Sequence, residues 1–554
     1  MRSFSRLSCL VIGSCLVALC TGCEEVEVAT PQPAKKVVKK KVKPKSVASK
    51  PAAAQEATPQ PMRSSDDDDR PRRLRIRVAP GASDTSSSLE TRSSFAPTGS
   101  NAVTKYLVDT IQASVDYGPT LVVWVVDRTQ SAQTLRQEAL GAVRSIYGKQ
   151  QSPEHVQEQR LLTAIVTYGE KVDELPEPSA DAAAAIAAFE KIAPDAQGME
   201  ATFAAMKAAG DKYLPFRTQQ RREVIFVLVT DEVGNDAAEV DNVIAPFKRA
   251  VAPVYVLGVP APFGRAHLGD LQAESRTPGQ PGVVFGPDSQ QVEGILIESI
   301  GGNYDLEMMD SGFGPFPLEH LARATEGKFL AVRPNWHESS FFGLPGTEWP
   351  SGRARQFDQQ VMKNYAPDYV TAAEYAALLN GNAAAKALVE AGKLPRAEVR
   401  TQLALTFTKQ NEAQFARDLN TAQQAVAKLE PAIARLYDAL AAGEGDRAKL
   451  TSPRWQASYD VAIGRACAAK ARLEGYNVML ALLKQGKNFE REGSTLWRLE
   501  PAATSEQAGS AINKLVERSQ MYLKRVAADH PGTPWAIIAE RELQEQVGWK
   551  WVEE

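Results

Sequence analysis

Oxygen-bearing side chains follow an apolar run near residue 120 and could either bind a metal ion or cap a helix. The stretch VVWVVDRTQS places a carboxylate at Asp127 and hydroxyls at Thr129 and Ser131, each two residues apart. Hard cations such as Mg²⁺ prefer oxygen ligands in a near-octahedral arrangement. The same residue types also accept hydrogen bonds from backbone N–H groups at the start of a helix. These three residues by themselves leave both interpretations open.

A further carboxylate, Asp231, ends a second apolar run in the stretch FVLVTDE. Continuous apolar runs of this length are typical of strands that are buried on both faces of a parallel sheet. Because parallel strands direct their carboxyl ends to one edge, we expect Asp127 and Asp231 to lie close together there. Doubly wound sheets bind their ligands at that edge. The two aspartates therefore predict a single site.

Strand and helix patterns alternate between residues 101 and 335. Apolar residues recur at helical spacing in NAVTKYLVDTIQASV, whereas TLVVWVV, REVIFVLV and APVYVLGV are continuous apolar runs. Such alternation predicts an α/β fold, with a doubly wound and mostly parallel sheet covered by helices on both faces. The helices and turns of this fold would have to position the oxygen-bearing side chains.

Residues 101–335 resemble a von Willebrand factor type A (VWA) domain. The metal-ion-dependent adhesion site (MIDAS) of that family has a D-x-S-x-S pattern after the first strand, a threonine in a later loop and an aspartate after a later strand. Asp127, Thr129 and Ser131 match the first element, with Thr in place of one Ser, and Asp231 matches the last. The resemblance implies a Rossmann-like VWA fold and a bound Mg²⁺ or other divalent cation. It also implies an open coordination position for an acidic group of a partner.

The middle element of the MIDAS pattern departs from the family. In the stretch AQGMEATFAAMKAA, Glu200 stands at the threonine position and Thr202 follows two residues later. A carboxylate there adds negative charge, which would either hold a metal more tightly or make the metal less attractive to an acidic ligand. Alternatively, Glu200 caps the helix, because acidic groups are favoured near a helix N-terminus, and the site binds no metal. Both Glu200 and Thr202 are candidate ligands.

Two segments interrupt or follow the alternating pattern. Residues 259–312 form a connection far longer than is usual between a strand and a helix, which predicts an insertion that overhangs the site. After a linker at 336–366, residues 367–554 are rich in Ala, Leu, Glu, Lys, Arg and Gln and predict an all-α helical domain. Its last hairpin, with a Pro-Gly turn at 531–532, resembles a tetratricopeptide (TPR) helical pair.

The N-terminal segment has the features of an export signal followed by a spacer. A basic start and a short apolar run end in CTGC, which resembles the lipobox of bacterial lipoproteins. Removal of residues 1–22 would leave Cys23 as the lipidated first residue, whereas an ordinary secretory signal and an uncleaved anchor are the alternatives. Residues 23–100 are rich in Lys, Pro and Ser and predict a disordered tether.

These features predict an exported protein that is lipid-anchored in the cell envelope, on the periplasmic or extracellular side of a membrane. A net charge of −3 over 554 residues gives no reason to expect nucleic-acid binding. The sequence lacks G-x-x-x-x-G-K-[ST], G-x-S-x-G and H-E-x-x-H, so we do not expect an enzyme. We expect protein–protein binding or scaffolding in the envelope through the metal site. The alternative is a structural VWA domain without metal, followed by a helical domain that acts as the assembly module.

Overall fold

The computed structural model describes residues 100–149, 159–195, 199–261, 263, 288–291, 309–332, 356–394, 403–504 and 508–554. The predicted signal peptide, lipidated Cys23, disordered tether and most of the 259–312 insertion lie outside the described residues. All described residues belong to one compact unit. Within these ranges, no helix combines the length and the apolar character needed to cross a membrane.

A parallel sheet of five strands, in the order β2-β1-β3-β4-β5, lies at the centre of the first half of the described chain. The strands are β1 (Thr120–Asp127), β2 (Leu161–Tyr168), β3 (Glu223–Val229), β4 (Val254–Gly258) and β5 (Phe329–Ala331). Because β2 lies on one side of β1 and β3 on the other, the direction of winding reverses between β1 and β3. This order confirms the predicted doubly wound α/β sheet.

Helices cover both faces of the sheet because successive strand residues point to opposite sides. Val122, Trp124 and Val126 pack on one face, whereas Val123 and Val125 pack on the other. The first face is covered by α1 (Ser100–Tyr117), α2 (Gln133–Lys149) and α3 (Ala182–Glu190), and the second by α4 (Thr202–Tyr213), α6 (Val240–Ala250) and α7 (Phe316–Ala324). A short helix, α5 (Pro215–Gln219), and a 3₁₀ turn (Ala237–Glu239) complete this half. Burial on both faces explains why β1 is apolar throughout until Asp127.

The C-terminal part is organised around one long helix, α13 (Pro453–Lys484). Buried residues, among them Tyr459, Ala466 and Leu473, occur on all sides of α13, which is typical of a helix at the centre of a core. The surrounding helices are α8 (Gln359–Met362), α9 (Ala372–Gly381), α10 (Ala383–Lys393), α11 (Glu412–Ala427), α12 (Glu430–Ala441), α14 (Ser510–Asp529) and α15 (Pro534–Gln544), with 3₁₀ turns at Lys363–Tyr365 and Glu444–Lys449. The helical prediction for this part is confirmed, and α14 and α15 flank the predicted Pro-Gly turn.

The helical part also contains a small antiparallel sheet, so it is not all-α as the sequence analysis expected. Its strands are β6 (Thr406–Thr408), β7 (Leu496–Ala502) and β8 (Gly548–Glu553), in the order β6-β7-β8. Short strands far apart in sequence are stabilised by pairing and by side-chain packing, and both arise only in the folded chain. Trp497 and Trp551 pack edge to face across this sheet.

Buried contacts join the α/β part to the helical part. The Arg454 guanidinium of α13 donates to Asp288 at 2.6 Å and to the backbone carbonyl of Tyr365 at 2.9 Å. The Phe263 and Trp535 rings meet edge to face with centroids 4.7 Å apart. Phe263 and Asp288 of the predicted insertion and Tyr365 of the predicted linker thus belong to this interface. The domain boundaries at 335 and 367 stay predictions.

Candidate metal centre at the switch point of the sheet

The turn after β1 holds the first three predicted site residues together. Asp127 is fully buried at the end of the strand, and its Oδ1 accepts a hydrogen bond from the backbone N–H of Thr129 at 2.7 Å. This bond closes an Asx turn, in which an aspartate side chain stands in for a backbone carbonyl. The hydroxyls of Thr129 and Ser131 lie 3.1 Å apart. The D-x-T-x-S motif therefore forms one hydrogen-bonded turn rather than a helix cap.

Arg136, in the first turn of α2, supports this turn from the protein interior. Its Nη1 donates to the backbone carbonyls of Asp127 at 2.9 Å and of Thr129 at 2.5 Å. Burial raises the pKa of both Asp127 and Asp231, and the positive charge of the buried Arg136 guanidinium opposes that rise. Sequence reasoning missed Arg136, because an arginine in the first turn of an amphipathic helix is ordinarily a surface residue.

Asp231 reaches the same edge of the sheet from β3. The parallel pairing of β1 with β3 places Val126 beside Val229, so both chains leave the sheet side by side. The Thr230 hydroxyl lies 3.4 Å from Oδ2 of Asp127, which links the two strand ends directly. The predicted convergence of Asp127 and Asp231 is therefore present. It occurs between β1 and β3, the point where the winding reverses.

Glu200 supplies a third carboxylate from the segment that precedes α4. Its backbone N–H donates to Oδ1 of Asn235 at 2.9 Å, and the N–H of Asn235 donates to the Glu200 carbonyl at 2.8 Å. The next residue, Ala201, donates its N–H to the carbonyl of Gly169 at 2.9 Å. These bonds attach the segment both to the loop after β3 and to the loop after β2.

The carboxylates of Asp127, Glu200 and Asp231 converge on one point. Each offers one oxygen, and the three oxygens lie within 4.8 Å of one another. Glu200 is only 4% exposed, yet its Oε2 has no hydrogen-bond partner, and neither does the buried Oδ1 of Asp231. Buried polar atoms are nearly always hydrogen-bonded or bound to an ion, because desolvation without a partner is costly. Orphaned carboxylate oxygens at this point fit a hard divalent cation.

The start of α4 is capped by a residue from another loop. The carboxylate of Asp236 accepts hydrogen bonds from the N–H groups of Phe203, at 3.1 Å, and Ala204, at 2.7 Å. The residue at the N-cap position itself, Ala201, makes no side-chain cap. The hypothesis that Glu200 caps this helix is therefore wrong, because Asp236 already satisfies the helix N-terminus.

Thr202 directs its hydroxyl to a different partner. Its Oγ1 donates to the phenol oxygen of Tyr168 at 3.3 Å, and both side chains are buried. Gly234 passes directly beside Thr202 with a φ of +83°, and a Cβ at Gly234 would lie 2.4 Å from Oγ1 of Thr202. Of the two tentative ligands, the structure brings Glu200 to the two aspartates and hydrogen-bonds Thr202 to Tyr168.

Burial and mutual repulsion disfavour ionisation of all three carboxyl groups at once. Burial raises the pKa of Asp127 to about 6; the N–H bond from Thr129 opposes this shift and the charge of Asp231 adds to it. Burial, followed by the charge of Asp127, raises the pKa of Glu200 to about 10. Burial also raises the pKa of Asp231, although a hydrogen bond from Ser131 opposes that shift. Without a cation, the cluster therefore retains a proton at neutral pH, and a bound cation would replace it.

No family model and no curated protein matches this chain. Three distantly similar solved structures are the conserved hypothetical protein BatB from Bacteroides thetaiotaomicron, an aerotolerance-related membrane protein from Bacteroides fragilis with multiple mutations to serine, and the VWA domain of SpRpn10.

All three structures are remote from this chain. The BatB match is 14% identical and covers 39% of this chain and 91% of BatB, with a TM-score of 0.24. The B. fragilis protein is 14% identical, with coverages of 39% and 92% and a TM-score of 0.22. SpRpn10 is 9% identical, with coverages of 29% and 84% and a TM-score of 0.20. Scores this low carry no argument, and the fold is assigned from the strand order and helix placement.

Proposed function

We propose that this chain is a VWA-type protein-binding or scaffolding module that holds a divalent cation, Mg²⁺ in the first place, at the switch point of its sheet. Asp127, Glu200 and Asp231 would supply carboxylates, and Thr129 and Ser131 would supply hydroxyls. The observation that carries the proposal is the pair of buried carboxylate oxygens without hydrogen-bond partners inside a cluster of three acids. Carboxylate and hydroxyl oxygens are the donors that Mg²⁺ and Ca²⁺ prefer.

The bound cation would neutralise charges that otherwise oppose folding. The three acids come from separate segments, namely the end of β1, the segment before α4 and the loop after β3. An ion held between them would fix these loops relative to one another and would shape the edge of the sheet at which partners bind. We propose a binding role rather than an enzymatic one, because the sequence lacks the catalytic motifs G-x-x-x-x-G-K-[ST], G-x-S-x-G and H-E-x-x-H, and because the resemblance to VWA domains favours binding.

We further propose that the chain is exported and anchored through lipidated Cys23, so that its partners are proteins of the cell envelope. The support is the lipobox-like CTGC sequence and the low-complexity stretch that follows it. Membrane fractionation of the full chain and of Cys23→Ala would test the anchor. We expect the wild-type chain in the membrane fraction and the variant released from it. Retention of Cys23→Ala would contradict lipid anchoring at this residue.

Calorimetric titration of the full chain with Mg²⁺ and Mn²⁺ tests cation binding. We expect one ion per chain, and at least tenfold weaker binding after Asp127→Asn, because the shape of the side chain is kept while its charge is lost. Asp173→Asn is the matched control, since Asp173 is half-exposed and pairs with Arg128 at 3.0 Å outside the cluster. A wild-type chain that binds neither ion at millimolar concentration would overturn the proposal.

The alternative function assigns partner binding to the helical part and leaves the α/β part without metal. The α14–α15 hairpin favours it, because it resembles a TPR pair: Val526 of α14 and Trp535 of α15 share one buried cluster, and Gly532 in the turn between the helices has a φ of +71°. Capture of envelope proteins by the full chain, with and without a chelator, discriminates between the two. Loss of captured partners in chelator and in Asp127→Asn supports the metal-dependent function, whereas unchanged capture in both supports the alternative.

A further inference from the structure

Glu200 stands where the MIDAS pattern has a hydroxyl, and its surroundings suggest a specific role for this carboxylate. We propose that Glu200 is a permanent internal ligand of the cation in place of that hydroxyl, and that its negative charge prevents the ion from attracting an acidic group of a partner. This inference rests on the proposed cation binding. It concerns how the site works: the ion would be closed to acidic ligands and would act on partners only through the shape of the surrounding loops.

The carboxylate of Glu200 is aimed into the cluster. One of its oxygens lies within 4.8 Å of an oxygen of Asp127 and of Asp231. The side chain is 4% exposed, and Oε2 has no hydrogen-bond partner, so solvent does not satisfy it. The N-terminus of α4 could also bind an acid at this position, but Asp236 already caps it. A cation between the three acids would compensate this buried charge and would replace the proton that the cluster retains without one.

The backbone holds Glu200 in this position from both sides. Two hydrogen bonds with Asn235, at 2.9 and 2.8 Å, fix its N–H and its carbonyl, and the N–H of Ala201 is bound to Gly169 at 2.9 Å. Helix α4 begins one residue later, and its Phe203 is fully buried in the core. These bonds fix the backbone from which the Glu200 side chain projects, and the side chain itself is buried. This fixed and buried placement favours a permanent ligand over a latch that a partner displaces.

The charge balance changes with Glu200. A divalent cation and two aspartates cancel, and the buried Arg136 then leaves one positive charge that would attract an anion. Glu200 cancels this remaining charge, and the neighbouring Glu232 adds a negative field that acts on Glu200 itself. An incoming carboxylate would consequently meet no net positive charge at the ion. Partner recognition at this edge is expected to use groups other than carboxylates.

The experiment uses Mn²⁺ as the probe and acetate as a stand-in for the carboxylate of a partner. Mn²⁺ affinity is measured by electron paramagnetic resonance, and the exchangeable water on the bound ion is measured by water-proton relaxation. In the full chain carrying Glu200→Ala, we expect at least tenfold weaker Mn²⁺ binding and more exchangeable water per bound ion. Millimolar acetate should recover several-fold of the lost affinity by filling the vacated position. In the wild-type chain, acetate should change neither quantity.

Two further variants keep the result interpretable. Glu200→Gln preserves the shape of the side chain, so we expect weak Mn²⁺ binding that acetate does not rescue, because the space stays filled. Glu232→Gln removes an exposed charge of the adjacent loop and should bind Mn²⁺ nearly as well as wild type, also without an effect of acetate. Agreement of both with these expectations supports Glu200 as the ligand, even if the alanine variant folds poorly.

The possible failures are distinguishable. A wild-type chain that binds no Mn²⁺ would overturn the proposed function together with this inference. Tighter Mn²⁺ binding by the wild-type chain in acetate would overturn the inference alone, since the ion would then have a coordination position open to a carboxylate. Glu200→Ala with unchanged Mn²⁺ affinity and unchanged water exchange would likewise show that Glu200 is not a ligand, while cation binding would stand.

Discussion

In the absence of a divalent cation, we expect Glu200→Gln to stabilise the α/β part of the chain at neutral pH. Burial and the adjacent charges raise the pKa of Glu200 from 4.5 to about 10, so the folded side chain carries a proton at pH 7. In the unfolded chain the same side chain is ionised. Glutamine has nearly the shape of the protonated acid and takes up no proton on folding, so this cost is absent from the variant.

The sign and size of the effect follow from proton linkage. A carboxyl whose pKa is raised on folding binds its proton more tightly in the folded state. Its contribution to the free energy of unfolding is fully present below the unfolded pKa of 4.5 and is lost as the pH rises towards about 10. The loss is about 1.4 kcal/mol per pH unit, or about 3 kcal/mol between pH 4.5 and pH 7. We therefore expect Glu200→Gln to be more stable by roughly that amount at pH 7, and by far less at pH 5.

Hydrogen exchange measured by mass spectrometry on peptides from β1 and β3 reports this difference locally. With chelator at pH 7, a change of about 3 kcal/mol corresponds to roughly a hundredfold slower exchange of the most protected amides. Glu170→Gln is the control, since Glu170 is exposed in the loop after β2 and is not one of the charges that raise the pKa of Glu200. Saturating Mg²⁺ should reverse the order, because the wild-type cluster gains the binding free energy that the variant loses. Equal exchange of wild type and Glu200→Gln in chelator at pH 7 would refute the reasoning.

Three other outcomes are expected. Mg²⁺ affinity should rise by up to about tenfold per pH unit between pH 6 and 8, because the proton on Glu200 must leave when the ion binds. Calorimetry in buffers of different ionisation heat should detect the released proton, and a pH-independent affinity would contradict this prediction. Gly234→Ala should lower the free energy of unfolding by about 1–3 kcal/mol, because Gly234 has a positive φ and lies against Thr202. Gly141→Ala should raise it by about 0.5–1 kcal/mol, because Gly141 lies inside α2 with open space around it. Thermal melts in which both substitutions act alike would contradict this prediction. Arg454→Met should lower the free energy of unfolding in urea by about 3–5 kcal/mol, because buried Asp288 loses the guanidinium that it binds at 2.6 Å. Adding Asp288→Asn should recover part of that loss. An Arg454→Met variant as stable as wild type would show that the pair contributes nothing.

Much of the sheet and half of the site could be predicted from local sequence. The apolar runs of β1 and β3 are continuous because helices cover both faces of the sheet, and this burial leaves a pattern in the sequence. Asp127 and Asp231 are conspicuous because each interrupts such a run at the strand end. Parallel pairing then brings two strand ends to one edge, so their proximity follows from the fold class alone.

The choice between Glu200 and Thr202 was decided by tertiary structure. The two residues lie beside the same helix start; either one suits a metal site, and Glu200 also suits a helix cap. What separates them lies in distant loops: Asp236 caps α4, and Tyr168 accepts the Thr202 hydroxyl. The bonds to Asn235 then fix the backbone of Glu200 beside the strand ends. None of these partners is close in sequence, so no local pattern encodes them.

The distance between contacting residues along the chain also explains which other features could be predicted and which were missed. The sequence by itself determined which segments become buried strands, because burial on both faces requires apolar residues along the whole strand. It could not determine that Arg136 supports the β1 turn or that β6, β7 and β8 pair within the helical part. Those features depend on single contacts between residues far apart along the chain, and such contacts leave no periodic signal. The third carboxylate of the cluster is the functional example, since its neighbours in space turn an ordinary glutamate into a candidate ligand.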